Sequence, residues 1–173
     1  EDCRRQRQMC IRDSHHPDPS KPENLKDLIN SLKNHEEFDI GFAFDGDADR
    51  LGVVTKEGNI IYPDRQMILF SEHVLKTKPN SQIIFDVKCS KNLNDAIKKN
   101  NGVPIMYKTG HSLIQKKMKE LDIPLGGEMS GHIFFNDKWF GFDDGIYAGC
   151  RLLEILSDYD VTPSEILNGL PTS

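Results

Sequence analysis

With 173 residues, 37% hydrophobic and 28% charged side chains and a net charge of −5, the chain can bury a real core as one domain or one and a half. The modest acidity argues against a nucleic-acid platform. No apolar run approaches the roughly 20 residues that span a bilayer and no signal-peptide pattern opens the chain, so the cytoplasm is the expected setting.

Residues 1–14 are Arg-rich and aperiodic, and four arginines offset by three acids make a thin basic arm. They read as linker or adaptor sequence and are set aside from the fold. His15 and His16 precede Pro17 in an expected loop. From Pro22 the pattern is helical, with Leu25, Leu28, Ile29 and Leu32 on one face and charge on the other. A buried strand is predicted over Phe38–Phe44. Leu51–Thr55 and Asn59–Tyr62 then flank Lys56-Glu57-Gly58 as a hairpin, followed by a helix from about Pro63 to Lys76. The remainder alternates: strand Gln82–Val87, helix Ser90–Lys99, strand Val103–Tyr107, helix from about Ser112 to Leu121. Short strands near Leu125 and over His132–Phe135 precede a helix from about Asp144 to Leu156, and Pro163 opens a last short helix. The cysteines, Cys3, Cys10, Cys89 and Cys150, lack metal-ligand spacing and disulfide density, which predicts free thiols and no zinc site built from them.

Between the first two strands lies Asp45-Gly46-Asp47-Ala48-Asp49-Arg50, with carboxylates at every second position. If the segment stays extended, these side chains converge while Gly46 and Ala48 keep the other side small. Like charges held so close repel unless a hard cation with oxygen ligands neutralises them, and Mg²⁺ is the leading candidate. A solvated acidic turn is the plain alternative. A calcium hand is excluded, because Arg50 and Lys56 stand where that loop needs Gly and Glu. An aspartyl phosphatase using Asp45 and Asp47 stays open.

Lys88, at the end of a predicted strand, is placed to meet phosphate, although a plain surface lysine fits the local residues too. Thr109-Gly110-His111-Ser112 lies where free N–H groups and a helix dipole favour an anion, or where His111 merely caps a helix. Gly126-Gly127-Glu128-Met129-Ser130-Gly131-His132 presents acceptor, hydroxyl and imidazole from a Gly-flanked loop, a set that suits sugar hydroxyls. A polar β-turn is its structural alternative. Asp144 is expected to be an N-cap, and Phe134, Phe135, Trp139, Phe140 and Phe142 are assigned to packing.

The acidic loop together with Gly127–His132 resembles the α-D-phosphohexomutase superfamily, in particular its bacterial phosphomannomutase/phosphoglucomutase group. The resemblance extends through His15–Pro19, Tyr62–Arg65, Phe85–Lys88, Lys108–Ser112 and Trp139–Gly145, from His15 to about Leu167. It implies an α/β fold: a layered α/β/α domain three with a mixed sheet over residues 57–173, preceded over 15–56 by the C-terminal part of a similar domain two. Residues 1–14 remain unassigned. Domain one with its phosphoserine loop and domain four with its phosphate-gripping loop are absent, so the chain is expected to be an inactive fragment.

The resemblance further implies that Asp45, Asp47 and Asp49 hold Mg²⁺ and that Arg50 lies by the transferring group. Glu128 and Ser130 would hydrogen-bond sugar hydroxyls, with Met129 and Gly131 in the same loop and Lys88, His111 and His132 facing the substrate. His132 is the preferred acid/base, with Lys88 able to share the task. The implied reaction exchanges hexose 1-phosphate and 6-phosphate through a hexose 1,6-bisphosphate. Met129 resembles the mannose/glucose group, whereas the glucosamine branch tends to carry Gln there. The phosphatase and a non-catalytic sugar-phosphate binding module are the competing readings.

Overall fold

The computed structural model describes residues 17–172. The expectations for residues 1–14, for His15 and His16, and for Cys3 and Cys10 fall outside them. A single 3-10 turn at Pro22–Leu25 leads into α1 (Lys26–Asn34), and three strands follow: β1 (Ile40–Phe44), β2 (Leu51–Thr55) and β3 (Ile60–Ile61). They form an antiparallel sheet in the order β1-β2-β3. Leu25 and Leu32 bury against Val54, with Leu28, Ile29, Ala43 and Ile60 packed around them, as the apolar stripe predicts. β1 is not the buried strand expected from its composition. It lies at a sheet edge and only Gly41 is fully buried. β2, between two partners, is buried throughout.

The second sheet is mixed. α2 (Pro63–Thr77), β4 (Gln82–Asp86), α3 (Lys91–Lys99), β5 (Val103–Tyr107), α4 (His111–Leu121), β6 (Leu125–Gly127) and β7 (Ile133–Phe135) follow in chain order. The strand order is β5-β4-β6-β7, with β4 parallel to β5 and β6, and β7 antiparallel at the edge. Side-chain alternation along β4 builds the layers. Ile84 packs with Ile114 and Met118 of α4, while Ile83 and Phe85 join Met67 and Phe70 of α2 and Leu93 and Ile97 of α3. α5 (Gly145–Ser157) and α6 (Pro163–Asn168) complete the chain, α6 with a reciprocal Thr162–Glu165 capping box. The predicted elements thus stand in order, with ends shifted by a residue or two.

One cluster continues through both sheets. Leu51, Val53 and Ile61 of the first share it with Leu125 and Ile133 of the second and with Leu152 and Ile155 of α5. β3 pairs with β2 across residue 57, so the hairpin bridges the two halves of the chain. Arg151 is buried beside this core, paired through both terminal nitrogens to Asp137 at 3.0 and 2.9 Å and set over the Phe135 ring. Phe134 and Phe135 are buried as expected, whereas Phe140 is 77% and Phe142 39% exposed, since both lie in a loop rather than a strand. Cys89 is buried and Cys150 exposed, both free thiols. No helix among the described residues is long and apolar enough to cross a membrane.

Candidate active site

The parallel strands set the site. Asp86 pairs with Tyr107 and Phe85 with Gly127, so β4, β5 and β6 end together and the loops carrying Lys88, His111 and Glu128 leave from one edge. Asp86, fully buried, ties them to one another. Its carboxylate accepts from Cys89 Sγ at 3.2 Å, Thr109 Oγ1 at 3.1 Å and the Met129 N–H at 3.3 Å. Sequence reasoning gave Asp86 no role. A buried carboxylate between a strand and a lysine carries no local mark of which loops it will join.

The acidic loop does not stay extended. It turns at Gly46-Asp47, the Ala48 N–H donates to the Asp45 carbonyl at 3.2 Å, and Ala48 takes a left-handed conformation with φ 61°. The aspartates nevertheless converge, each offering an oxygen within 4.8 Å of the others. Convergence therefore comes from a turn rather than from strand alternation. Arg50 closes the loop on itself: its Nε lies 2.6 Å from Asp45 Oδ2, and its N–H donates to Asp45 Oδ1 at 3.2 Å. Its Nη1 reaches Asp18 Oδ1 at 3.0 Å, fixing the loop to the start of the described chain. Burial, a hydrogen bond with Asp45 and the charges of Asp45 and Asp47 push Asp49 up to about 6, with His132 opposing. Three hard carboxylate oxygens in one small volume are the donor set that suits Mg²⁺.

Backbone contacts hold this loop against the sugar-loop candidate. Arg50 and His132 form an antiparallel bridge, and the Leu51 N–H donates to the Gly131 carbonyl at 3.2 Å. From α5, the Gly145 N–H donates to the Ala48 carbonyl at 2.9 Å. Asp144 caps that helix through the Tyr147 N–H, as predicted.

His132 sits where these pieces meet. Its Nδ1 lies 3.1 Å from Glu128 Oε2 and 2.8 Å from Ser130 Oγ, and its Nε2 lies 3.4 Å from Asp49 Oδ2 and 3.9 Å from Asp143 Oδ2. Burial opposes a charge on the ring, but Glu128, Asp49 and Asp143 outweigh it and raise the pKa above the usual histidine value. The His111 ring stacks on it with centroids 5.2 Å apart, and His111 Nδ1 meets Asp143 Oδ2 at 3.1 Å. His111 thus faces a carboxylate, and the helix N-cap is Gly110.

Glu128 is only 2% exposed. Its oxygens are taken by the Gly110 N–H at 2.6 Å and by His132, so it braces the imidazole and the start of α4. Met129, Ser130 and Gly131 complete that turn, Gly131 with φ 105°. Lys88 is exposed at the end of β4 and forms no salt bridge among the described residues. Asp18 and Asp143 were also unassigned from sequence. The Asp143-Asp144 pair drew attention to its capping member, while the other faces both histidines.

The chain matches the family model described as phosphoglucomutase/phosphomannomutase, alpha/beta/alpha domain III over residues 62–173, and that of domain II over residues 3–58. It belongs to the phosphoglucomutase/phosphomannomutase family. A phosphoglucomutase of Neisseria meningitidis serogroup A is 62% identical over 160 residues, covering 92% of this chain and 34% of that protein. The phosphomannomutase/phosphoglucomutase of Pseudomonas aeruginosa is 57% identical over 159 residues, with the same 92% and 34% coverage. A crystal structure of a family protein from Burkholderia thailandensis superposes with a TM-score of 0.90 at 59% identity, covering 92% of this chain and 34% of that one. The chain therefore spans about a third of the length of the family members it matches.

Proposed function

We propose that this chain supplies the metal loop and the sugar-facing loop of a phosphohexomutase. The complete enzyme interconverts hexose 1-phosphate and hexose 6-phosphate, of mannose or glucose, through a phosphoserine and a hexose 1,6-bisphosphate. The carrying observation is the bridge between Arg50 and His132, which sets three converging carboxylates and a guanidinium beside a braced imidazole. Asp45, Asp47 and Asp49 hold Mg²⁺, which when bound supplies positive charge to phosphoryl oxygens. Arg50, anchored by Asp45 and Asp18, adds a fixed guanidinium near the same group. His132, protonated at Nδ1 because the Glu128 carboxylate can only accept, exchanges the reacting proton at Nε2. Lys88 and His111 face the sugar phosphate, and Met129, Ser130 and Gly131 line the sugar. Glu128 holds His132 in place and reaches a hydroxyl by giving up one of its present bonds.

Both Asp45 oxygens are engaged by Arg50, which disfavours an aspartyl nucleophile at that position. In the complete enzyme, Asp47→Ala is expected to abolish Mg²⁺-dependent turnover of mannose 1-phosphate in the presence of a bisphosphate activator. Retained turnover would refute the assignment of the loop. The isolated chain is expected to bind sugar phosphate weakly and to turn nothing over, since a divided cleft lacks the remaining contacts.

A further inference from the structure

We infer that Asp49, His111, His132 and Asp143 form a second cation site, of a different chemical class from the aspartate loop, that takes Zn²⁺ or a similar borderline metal. One ligand atom from each of the four lies within 4.8 Å of all the others. Three of the separations are 3.1 Å for His111–Asp143, 3.4 Å for His132–Asp49 and 3.9 Å for His132–Asp143. Four ligands at about 2.0–2.1 Å from a tetrahedral Zn²⁺ stand about 3.3 Å apart, so the His111–Asp143 and His132–Asp49 separations already fit and no pair has to close by more than about 1.5 Å. Two imidazoles and two carboxylates also match that metal's preference, whereas the oxygen-only loop suits Mg²⁺.

An independent feature points the same way. Each histidine has its other ring nitrogen already engaged, as metal-binding histidines almost always do. His132 Nδ1 meets Glu128 and Ser130, and His111 Nε2 lies 3.3 Å from Ser112 Oγ. The other two nitrogens, His111 Nδ1 and His132 Nε2, face the carboxylates that would share the metal with them, and the stacked rings, inclined by 25°, present them side by side.

Asp49 belongs to both groups, so the two cations compete for it and repel one another. Zn²⁺ here would also withdraw His111 and His132 from substrate, making the site inhibitory. That inhibition rests on the mutase reading; the binding does not.

Co²⁺ titrated into the chain and followed by visible absorption tests the site by its coordination geometry, without any activity assay. The intense bands of four-coordinate Co²⁺ are expected, lost when Zn²⁺ is added. His111→Ala, an exposed position, and Asp143→Asn should each weaken Co²⁺ binding at least tenfold, while Asp47→Asn should leave the band shape unchanged. Saturating Mg²⁺ should weaken Co²⁺ binding several-fold. Weak six-coordinate bands alone, or binding abolished by Asp47→Asn and indifferent to His111→Ala, would place the ion in the aspartate loop and overturn the inference.

Discussion

Adding one methyl group at Gly145 should damage the metal loop from a helix that contributes no ligand to it. A Cβ built there lies 2.7 Å from the Arg50 carbonyl oxygen, 2.9 Å from that of Ala48 and 2.9 Å from the Arg50 carbonyl carbon. All three atoms are backbone, so no side chain can swing aside. Relief requires α5 to back away by roughly half an ångström, which stretches the Gly145 N–H bond to Ala48, now 2.9 Å. Overpacking of this kind costs about 1–3 kcal/mol, and the strained hydrogen bond about 1 kcal/mol more. Better helix propensity returns less than about 1 kcal/mol at a first-turn position. Gly145→Ala is therefore expected to lose roughly 1–3 kcal/mol in urea unfolding with an unchanged m-value, and to weaken Mg²⁺ binding in calorimetry. Gly46→Ala is the control, because a Cβ there finds Pro17 only at 3.9 Å and should change stability by less than about 0.5 kcal/mol. If Gly145→Ala matched the parent in both measurements, close docking of α5 on the loop would not be what shapes the site.

Removing Asp137 would take both paired bonds from the buried Arg151 guanidinium and leave it only the more exposed Glu154, 3.2 Å from its Nε, and the Tyr147 hydroxyl, so Asp137→Ala is expected to cost about 3 kcal/mol, the low end for a broken buried pair, in thermal or urea unfolding. Replacing both partners by leucine should recover much of that loss, and a double mutant as unstable as the single would refute the pair's role. Burial raises the Glu128 pKa, but hydrogen bonds from His132 and Gly110 bring it below the ordinary 4.5. The stability it contributes is complete above pH 4.5 and lost as pH falls through the lower folded value, so Glu128→Gln should flatten that acid limb in pH-dependent unfolding. Mg²⁺ at a hundredfold excess over its Kd should stabilise the chain by about 2.7 kcal/mol, reversed by chelation, and Asp47→Asn should erase the shift.

Most of the fold was legible because its signals are local. The Leu25–Leu32 stripe, Pro63 and Pro163 at helix starts, and the apolar runs over Gln82–Val87 and Val103–Tyr107 each mark an element within a few residues. What escaped depends on distant partners. β1 reads as buried from Ile40–Phe44 alone, yet its exposure follows from lying at a sheet edge. Extended geometry was the simplest way for alternate aspartates to meet, and nothing local signalled that Ala48 would adopt a left-handed turn. The loops bearing Asp45, His111 and His132 were visible as candidates. Their closeness, and the parts played by Asp18, Asp86 and Asp143, arise from strand ends and helix starts far apart in the chain.

The apolar cluster running from Leu51 and Val53 through Leu152 and Ile155 has a mechanical consequence. Leu51 directly follows Arg50, so the aspartate turn is welded to the same mass that carries the His132 turn. The two turns therefore rest on one continuous apolar cluster rather than on two separate cores.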